Sequence, residues 1–175
     1  MNDEQTVARL EFLASFFQMP DEAMLVRIYE GMTPLGDCRD GMTRTEFVSK
    51  ISTVITSLFV NSPEQRPVYP VASEFLSDES SQSPSPVEIL TGIYQSEGKV
   101  LSGYPPDHLT VLCEFTLALL GRNETERAAE FYTRFVASWS GTFVAAIEKR
   151  NPPTCIVRVA KLIEQLAHTL GRVHQ

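Results

Sequence analysis

Long hydrophobic runs are absent from this sequence, and so is an excess of positive charge. The longest apolar stretch, from Leu109 to Leu120, is interrupted by two threonines and a glutamate, whereas a helix that crosses a bilayer needs about 20 apolar residues. The chain carries 15 Lys plus Arg against 22 Asp plus Glu, which gives a formal net charge of −7. Because nucleic-acid-binding domains usually present a basic face, we expect neither stable membrane insertion nor a nucleic-acid partner.

Cysteine is scarce as well, and the common catalytic motifs are missing. Cys38, Cys113 and Cys155 are widely spaced, with no CxxC pair and no histidine at metal-site spacing, so we predict free thiols and no metal site. Phosphate-binding loops, a GxSxG elbow and an HExxH pair are also absent. We therefore assign no catalytic residue and no cofactor. The acidic N-terminus differs from a secretory leader, which predicts a cytoplasmic location.

Helical periodicity is what the sequence does contain. Apolar residues recur at helical spacing along most of the chain, and no convincing alternating strand is found. The predicted helices cover Val7 to Phe17, about Asp21 to Gly31, Thr45 to Val60, Ser85 to Gly98, Asp107 to Gly121, a segment carrying Ala128 to Phe135, Phe143 to Ile147, and Ile156 to Gly171. Residues 1–175 should thus form a single all-α globular domain of about seven to eight helices.

Local signals mark where several of these helices begin and end. Ser85 is followed by Pro86 and, three residues after the cap, by Glu88, which is the pattern of a capping box with proline at the first helical position. Asn123 stands three residues before Glu126 and repeats the cap pattern. The sequence therefore predicts helices that start after Ser85 and after Asn123. The helix from Asp107 is apolar almost all round, which predicts a central position.

A Pro/Ser-rich loop is predicted between Asn61 and Pro86. Five of the 11 prolines lie in this stretch, together with a Ser-rich run from Ser77 to Ser85, so a long helix is impossible there. Tyr69 and Phe75 are unusual in a plain linker, and long loops in compact domains are often functional. We predict that the loop forms part of a functional surface. As a hinge it would permit either a monomer or a domain-swapped dimer.

Asp107-His108 is the one acid–imidazole pair in the chain that merits a functional interpretation. A neighbouring carboxylate can orient a histidine as a base, but adjacent residues on a helix point in different directions and no nucleophile is signalled nearby. We expect a structural or binding role for this pair rather than catalysis. His168 and His174 are six residues apart, which does not place them on one helical face, and we expect both to face solvent.

Several segments, taken in order, resemble the TorD/DmsD family of redox-enzyme maturation chaperones. The first two are Leu58-Phe59-Val60 and the stretch from Pro70 to Leu76. The third, Tyr104-Pro-Pro-Asp-His-Leu109, is similar to the E-P-x-D-H motif that opens a central helix in that family. The stretch from Phe135 to Trp139 and the Ile147-Glu-Lys149 triplet follow. The resemblance spans roughly residues 55 to 150.

Two positions depart from the family's pattern. Tyr104 stands where the family's motif has Glu, and Val71 stands where the DmsD branch tends to carry an aromatic residue. The resemblance therefore leaves the branch open among DmsD-like, TorD-like and NarJ-like proteins.

The resemblance implies a cytoplasmic chaperone and not an enzyme. Such proteins bind the twin-arginine leader and the apo catalytic subunit of a molybdopterin oxidoreductase, delay its export and keep it receptive to its cofactor. The nearest alternative is a chaperone of a non-exported subunit of the nitrate-reductase type. A nucleotide-binding helical protein and a helical scaffold are alternatives from other classes. The identity of the client, and direct binding of guanine nucleotide or molybdenum cofactor, stay open.

The predicted binding site follows from the same resemblance. We expect the Pro70–Phe75 loop to pack against the Asp107-His108 end of the central helix and to line an apolar groove. Asp107 would accept from an arginine or a backbone amide, and His108 would hold the loop or the peptide. The predicted peptide-binding residues are Phe59, Tyr69, Pro70, Ser73, Phe75, Tyr104, Pro105, Asp107, His108 and Trp139. For Phe59 and Trp139, ordinary core packing is an equally weighted alternative.

Overall fold

The computed structural model describes residues 3–61, 65–76, 84–99 and 103–171. Within these ranges the helices are α1 (Asp3–Phe16), α2 (Glu22–Tyr29), α3 (Arg44–Phe59), α4 (Pro86–Ser96), α5 (Leu109–Gly121), α6 (Thr125–Tyr132), α7 (Ser138–Glu148) and α8 (Thr154–Gly171). A 3₁₀ turn covers Ala72–Glu74, and a π-helical segment covers Thr133–Ala137. The described ranges hold no strand, and the prediction of an all-α fold is confirmed.

Parts of two sequence predictions lie outside the described residues. The Pro/Ser-rich loop is described over 65–76 and from 84 onward, so most of its serine run, residues 77–83, falls outside. His174 falls outside as well, while His168 is exposed on α8.

Most helix starts follow from local sequence. Both signals of the capping box are present at Ser85 and Glu88, as predicted, and also at Thr43 and Glu46. The Asp21 carboxylate caps α2. In each case the side-chain oxygen accepts from a backbone N–H that has no partner within the first helical turn. These short-range bonds explain why the predicted starts of α2, α3 and α4 agree with the structure to within a residue or so.

The predicted N-cap role of Asn123 is wrong. The cap position of α6 is Glu124, which makes no side-chain cap bond. Asn123 instead has a φ of 62°, and its backbone N–H donates to the Leu120 carbonyl at 2.9 Å. Asparagine tolerates this left-handed conformation better than most residues. Asn123 therefore ends α5, which itself continues through Gly121, instead of starting α6.

The region predicted as two separate helices is one continuous helical path. The π segment joins α6 directly to α7, and α7 begins at Ser138, five residues before the predicted start at Phe143. In the adjoining turn the indole Nε1–H of Trp139 donates to the Phe135 carbonyl at 2.6 Å. A π turn admits an extra residue into the helix and so shifts the side chains that follow it. Periodicity alone does not predict such a shift.

The most apolar helix, α5, lies at the centre of the fold, as predicted. It packs against α1 and α6, while α8 packs against α1, α6, α7 and the π segment. Buried side chains occur on several faces of α5, whereas α8 buries a single stripe. A helix that is apolar all round must be covered on every side. This central position holds the start of α5, with Asp107 and His108 just before it, firmly in the molecule.

The three cysteines are buried and unpaired. Burial raises the pKa of Cys155 to about 12, so that thiol stays protonated near neutral pH. In the part of the chain that the structure covers, no group of histidine, cysteine and acidic side chains is arranged to hold a metal ion. Within the same ranges, no helix combines the length and the apolar character that a membrane crossing requires.

Candidate functional site

The segment 65–76 lies against the start of α5, as the sequence predicts. An isolated antiparallel bridge joins the two. The Leu109 N–H donates to the Pro70 carbonyl at 2.8 Å, and the Ala72 N–H donates to the Asp107 carbonyl at 3.0 Å. These backbone bonds link residues more than thirty positions apart in the sequence. The structure therefore joins the two motif segments through main-chain atoms.

Asp107 is almost completely buried, with 1% of its surface exposed. Its carboxylate Oδ2 accepts from the backbone N–H of Ser73 at 2.8 Å. This bond ties the 3₁₀ turn to the chain just before α5 and so holds the turn in place. Asp107 was predicted to accept from an arginine or from a backbone amide, and in the structure its partner is the backbone amide of Ser73.

His108 is the N-cap of α5. Its ring Nδ1 accepts from the Thr110 N–H at 3.3 Å, and 7% of the residue is exposed. Burial lowers the pKa of His108 to about 4, although the neighbouring Asp107 carboxylate acts in the opposite direction. The imidazole is therefore neutral near pH 7. Because Nδ1 accepts, Nε2 carries the hydrogen and is available as a donor.

Tyr104 covers one face of the imidazole. The two rings stack with centroids 4.5 Å apart, and the tyrosine hydroxyl donates to the Gln18 carbonyl at 3.3 Å. The Pro105 carbonyl accepts from the His108 N–H at 3.0 Å, which closes the turn before α5. Tyr104 thus ties this turn to the end of α1 at the position where the family motif carries an acid.

A small pocket of about 120 Å³ opens beside His108. It is lined by Phe16, Phe17, Met19, Ile55, Phe59, Val60, Pro70, Tyr104 and His108. Sites for drug-sized ligands and cofactors are usually of about 300 to 1,000 Å³. This pocket therefore suits a single apolar side chain rather than a cofactor. We call it the His108 pocket.

A comparison with protein families identifies the family of the chain. The family model described as nitrate reductase delta subunit matches residues 51–145, more than half of the chain. The chain belongs to this family. The nitrate reductase delta subunit family comprises chaperones of the NarJ and TorD type that serve molybdoenzyme maturation, which confirms the resemblance found in the sequence motifs. No curated protein and no solved structure matches the chain.

Four of the predicted site residues lie at the His108 pocket. They are Phe59, Pro70, Tyr104 and His108. Ser73 and Asp107 form their hydrogen bond just beyond it, and Tyr69 is exposed next to Pro70. The structure therefore assembles most of the predicted residues around one opening.

Phe75 and Trp139 lie on the core side of the 3₁₀ turn. Their rings stack with centroids 5.5 Å apart and an interplanar angle of 9°, and Trp139 is only 1% exposed. Phe143 packs edge-on against both rings. This placement makes them the apolar support of segment 65–76, and neither of them lines the His108 pocket.

The part of the pocket supplied by the end of α1 and the turn after it was not predicted. Phe16 is the last residue of α1, and Phe17 and Met19 follow it. All three precede the first residue that the nitrate reductase delta subunit model matches. One signal was present: three of the four residues before Pro20 are large and apolar, and a helix has to end near that proline. Ile55 of α3 and Val60 of the Leu58-Phe59-Val60 motif segment are the other lining residues that were not predicted as site residues.

Proposed function

We propose that this protein is a cytoplasmic chaperone that binds the twin-arginine leader of a molybdenum-containing oxidoreductase. It holds the apo catalytic subunit back from export until its cofactor is inserted. The observation that carries the proposal is the open His108 pocket, which is lined by residues from three of the motif segments: Phe59 and Val60, Pro70, and Tyr104 with His108. A site of this size takes one apolar side chain of a peptide.

In this proposal the buried groups position the site and the exposed groups contact the leader. Asp107 acts through Ser73 by fixing segment 65–76, and the neutral His108 offers its Nε2–H toward the pocket. Val60 and Tyr69 are exposed large hydrophobic side chains beside the opening. They add apolar contact at its rim. The net charge of −7 favours the approach of a basic leader.

A calorimetric titration with synthetic leader peptides tests the proposal. We expect the twin-arginine peptide to bind and a twin-lysine version to bind more weakly, because lysine lacks the planar fork that pairs with carboxylates. A peptide whose apolar stretch is replaced by serine and glutamine should not bind. If none of the three peptides binds, the proposed function is wrong.

The site itself is tested by Val60→Gln. This change keeps a side chain of moderate size at the rim but makes it polar, so we expect a loss of affinity for the leader of about fivefold. Ser52→Gln is the matched control, since Ser52 is exposed on the same helix and does not line the pocket. Equal affinities for the two variants would exclude the His108 pocket as the contact.

A second candidate client is a subunit of a non-exported, nitrate-reductase-type enzyme. The description of the matching family, nitrate reductase delta subunit, favours it. Such a client needs an amphipathic N-terminal segment but no arginine pair. Equal binding of the twin-arginine and twin-lysine peptides would support this candidate. Anaerobic affinity purification from the native host distinguishes the two, because mass spectrometry shows whether the recovered catalytic subunit carries a leader.

A further inference from the structure

A second and much larger groove lies between α1 and α2. Its volume is about 1040 Å³, against about 120 Å³ for the His108 pocket. It is lined by Ala8, Glu11, Phe12, Ser15, Gln18, Met19, Pro20, Asp21, Ala23, Met24, Arg27, Gly31, Met32, Thr33 and Pro34. All of these residues precede the segment matched by the family model. We call it the α1–α2 groove.

Methionine side chains provide the exposed apolar surface of this groove. Met32 is 65% exposed and Met19 is 47% exposed, and Met24 lines the groove between them. In the described part of the chain the other exposed large hydrophobic residues are Val60 and Tyr69, beside the His108 pocket. Contiguous exposed apolar surface marks interaction sites. Methionine is suited to such a surface because its flexible thioether adapts to different apolar partners.

Met19 connects the groove to the His108 pocket, since it lines both. Its φ of 73° is in the left-handed region, which non-glycine residues seldom adopt. This conformation turns the chain between α1 and α2 and places the side chain at the boundary of the two cavities. The groove and the His108 pocket therefore adjoin each other at Met19.

The charges at the groove are mainly negative. The Glu11 and Asp21 carboxylates line it, and Arg27 is the one cation among its lining residues. The Glu114 carboxylate adjoins the groove, because it accepts from the Gln18 side-chain amide at 2.8 Å. A segment that carries basic residues next to an apolar stretch matches this distribution.

One polar atom in the groove lacks a partner. The Thr33 hydroxyl is buried and has no hydrogen-bond partner within the described residues, and Thr33 lines the groove. A buried hydroxyl is usually paired, because an unpaired one costs free energy.

We infer that the α1–α2 groove is the docking site for the apolar, helix-forming stretch of the client leader. The inference rests on the proposed function. It places most of the leader-binding surface in the α1–α2 groove and the smaller part at the His108 pocket. The apolar stretch lies along Met24 and Met32 in the manner of a helix in a groove. One of its side chains enters the His108 pocket past Met19, and its basic end lies near Glu11.

The double variant Met19→Gln and Met32→Gln tests the groove. Glutamine has nearly the length of methionine, adds no charge and leaves the backbone at residue 19 as it is, so the change removes only apolar contact. We expect the affinity for the twin-arginine leader to fall about tenfold. Met42→Gln is the matched control, because Met42 is a partly buried methionine that lines neither cavity. Circular dichroism verifies that each variant is folded.

Photo-crosslinking gives a second, independent measurement. A photoreactive phenylalanine analogue in place of Met32 should crosslink to the apolar stretch of the leader, and the same analogue in place of the exposed Ala145 on α7 should not. The groove assignment would be overturned if the wild-type chain binds the leader, the double variant binds it with the same affinity, and no crosslink forms at position 32. Crosslinks between two copies of the chain would show that the groove binds a second copy, and would overturn its assignment to the leader. If the wild-type chain binds no leader, the proposed function fails together with this inference.

Discussion

At the residue scale, Asp107 shows how one buried carboxylate organises a loop. Its side chain accepts from the Ser73 N–H, and its carbonyl accepts from the Ala72 N–H. Two consecutive amides of the 3₁₀ turn are thus held by a single residue at the start of α5. The geometry of the loop is therefore sufficient to explain an acid at this position, without any bound peptide.

Replacing Asp107 therefore tests a positioning role. Asp107→Ala leaves the Ser73 N–H without its acceptor, and we expect the free energy of unfolding to fall by about 2 kcal/mol. Asp107→Asn keeps an acceptor oxygen, so its free energy of unfolding should fall by clearly less. Urea denaturation measures both, as a lower midpoint with an unchanged slope. Equal losses in the two variants would show that the hydrogen bond to Ser73 does not hold the turn.

His108 predicts a specific dependence of stability on pH. Burial lowers its pKa to about 4 in the folded chain, against 6.5 for an ordinary histidine. Between these values the unfolded chain binds the proton and the folded chain does not, so stability falls as the pH is lowered from about 6.5 toward 4. The contribution of this one residue is on the order of 3 kcal/mol across that window.

The control for this prediction is His108→Asn, which retains an N-cap side chain but does not titrate. We expect the wild-type protein to lose more stability than the variant between pH 6.5 and 4, as measured by urea denaturation at each pH. Parallel curves for the two proteins would contradict a lowered pKa at His108.

At the element scale, the junction of α5 and α6 shows why a cap pattern is ambiguous. Asn123 followed by Glu126 fits the start of a helix, yet the same asparagine serves as the left-handed residue that ends the preceding one. Both roles favour asparagine, since its short polar side chain suits a cap and also tolerates positive φ. The choice depends on where α5 ends.

Replacing Asn123 with glycine distinguishes a residue at positive φ after α5 from an N-cap of α6, because the two roles predict different effects on stability. Asn123→Gly should raise the free energy of unfolding slightly, by about 0.5 kcal/mol, because glycine adopts positive φ without strain. Asn123→Ala should lower it by about 1 kcal/mol. At an N-cap, glycine would instead be no better than asparagine. Thermal unfolding followed by circular dichroism gives the order of the three proteins.

At the scale of the whole molecule, segment 65–76 is held to the helical body by contacts with several elements. The Val68 N–H donates to the Leu58 carbonyl of α3 at 2.7 Å, and the Arg150 side chain donates to the Arg66 carbonyl at 2.7 Å. Backbone bonds and Asp107 attach it to the start of α5, and the Phe75 ring attaches it to Trp139 on α7. Arg66 and Glu74 also form an ion pair with a distance of 2.7 Å. Since the Arg66 side chain is largely exposed, this pair contributes little to stability.

Phe75→Ala should therefore loosen the segment without unfolding the protein. We expect faster hydrogen exchange at the amides of Ala72 and Ser73, and unchanged exchange in the buried part of α8 near Ile163. Glu74→Gln, which removes only the exposed ion pair, is the control and should leave both regions unchanged. Faster exchange throughout the chain after Phe75→Ala would show that the ring supports the whole core instead.

The family fold was predictable from the sequence because its signals are local. The apolar periodicity of α1, α3 and α8 and the capping box at Ser85 depend on residues a few positions apart, and such contacts form in any context that buries the apolar face. The motif segments also predicted that the Pro70–Phe75 loop would pack near the Asp107-His108 end of α5, and the backbone bonds between the two agree with this.

The sequence by itself thus predicted most of the helices, their order and four of the residues that line the His108 pocket, namely Phe59, Pro70, Tyr104 and His108. Only the tertiary structure decided that Asp107 bonds to Ser73, that Trp139 stacks on Phe75 of segment 65–76, and that α1 and α2 enclose a methionine-lined groove. Burial and the meeting of distant segments arise when all helices pack together. No periodicity or cap pattern within one helix carries that information.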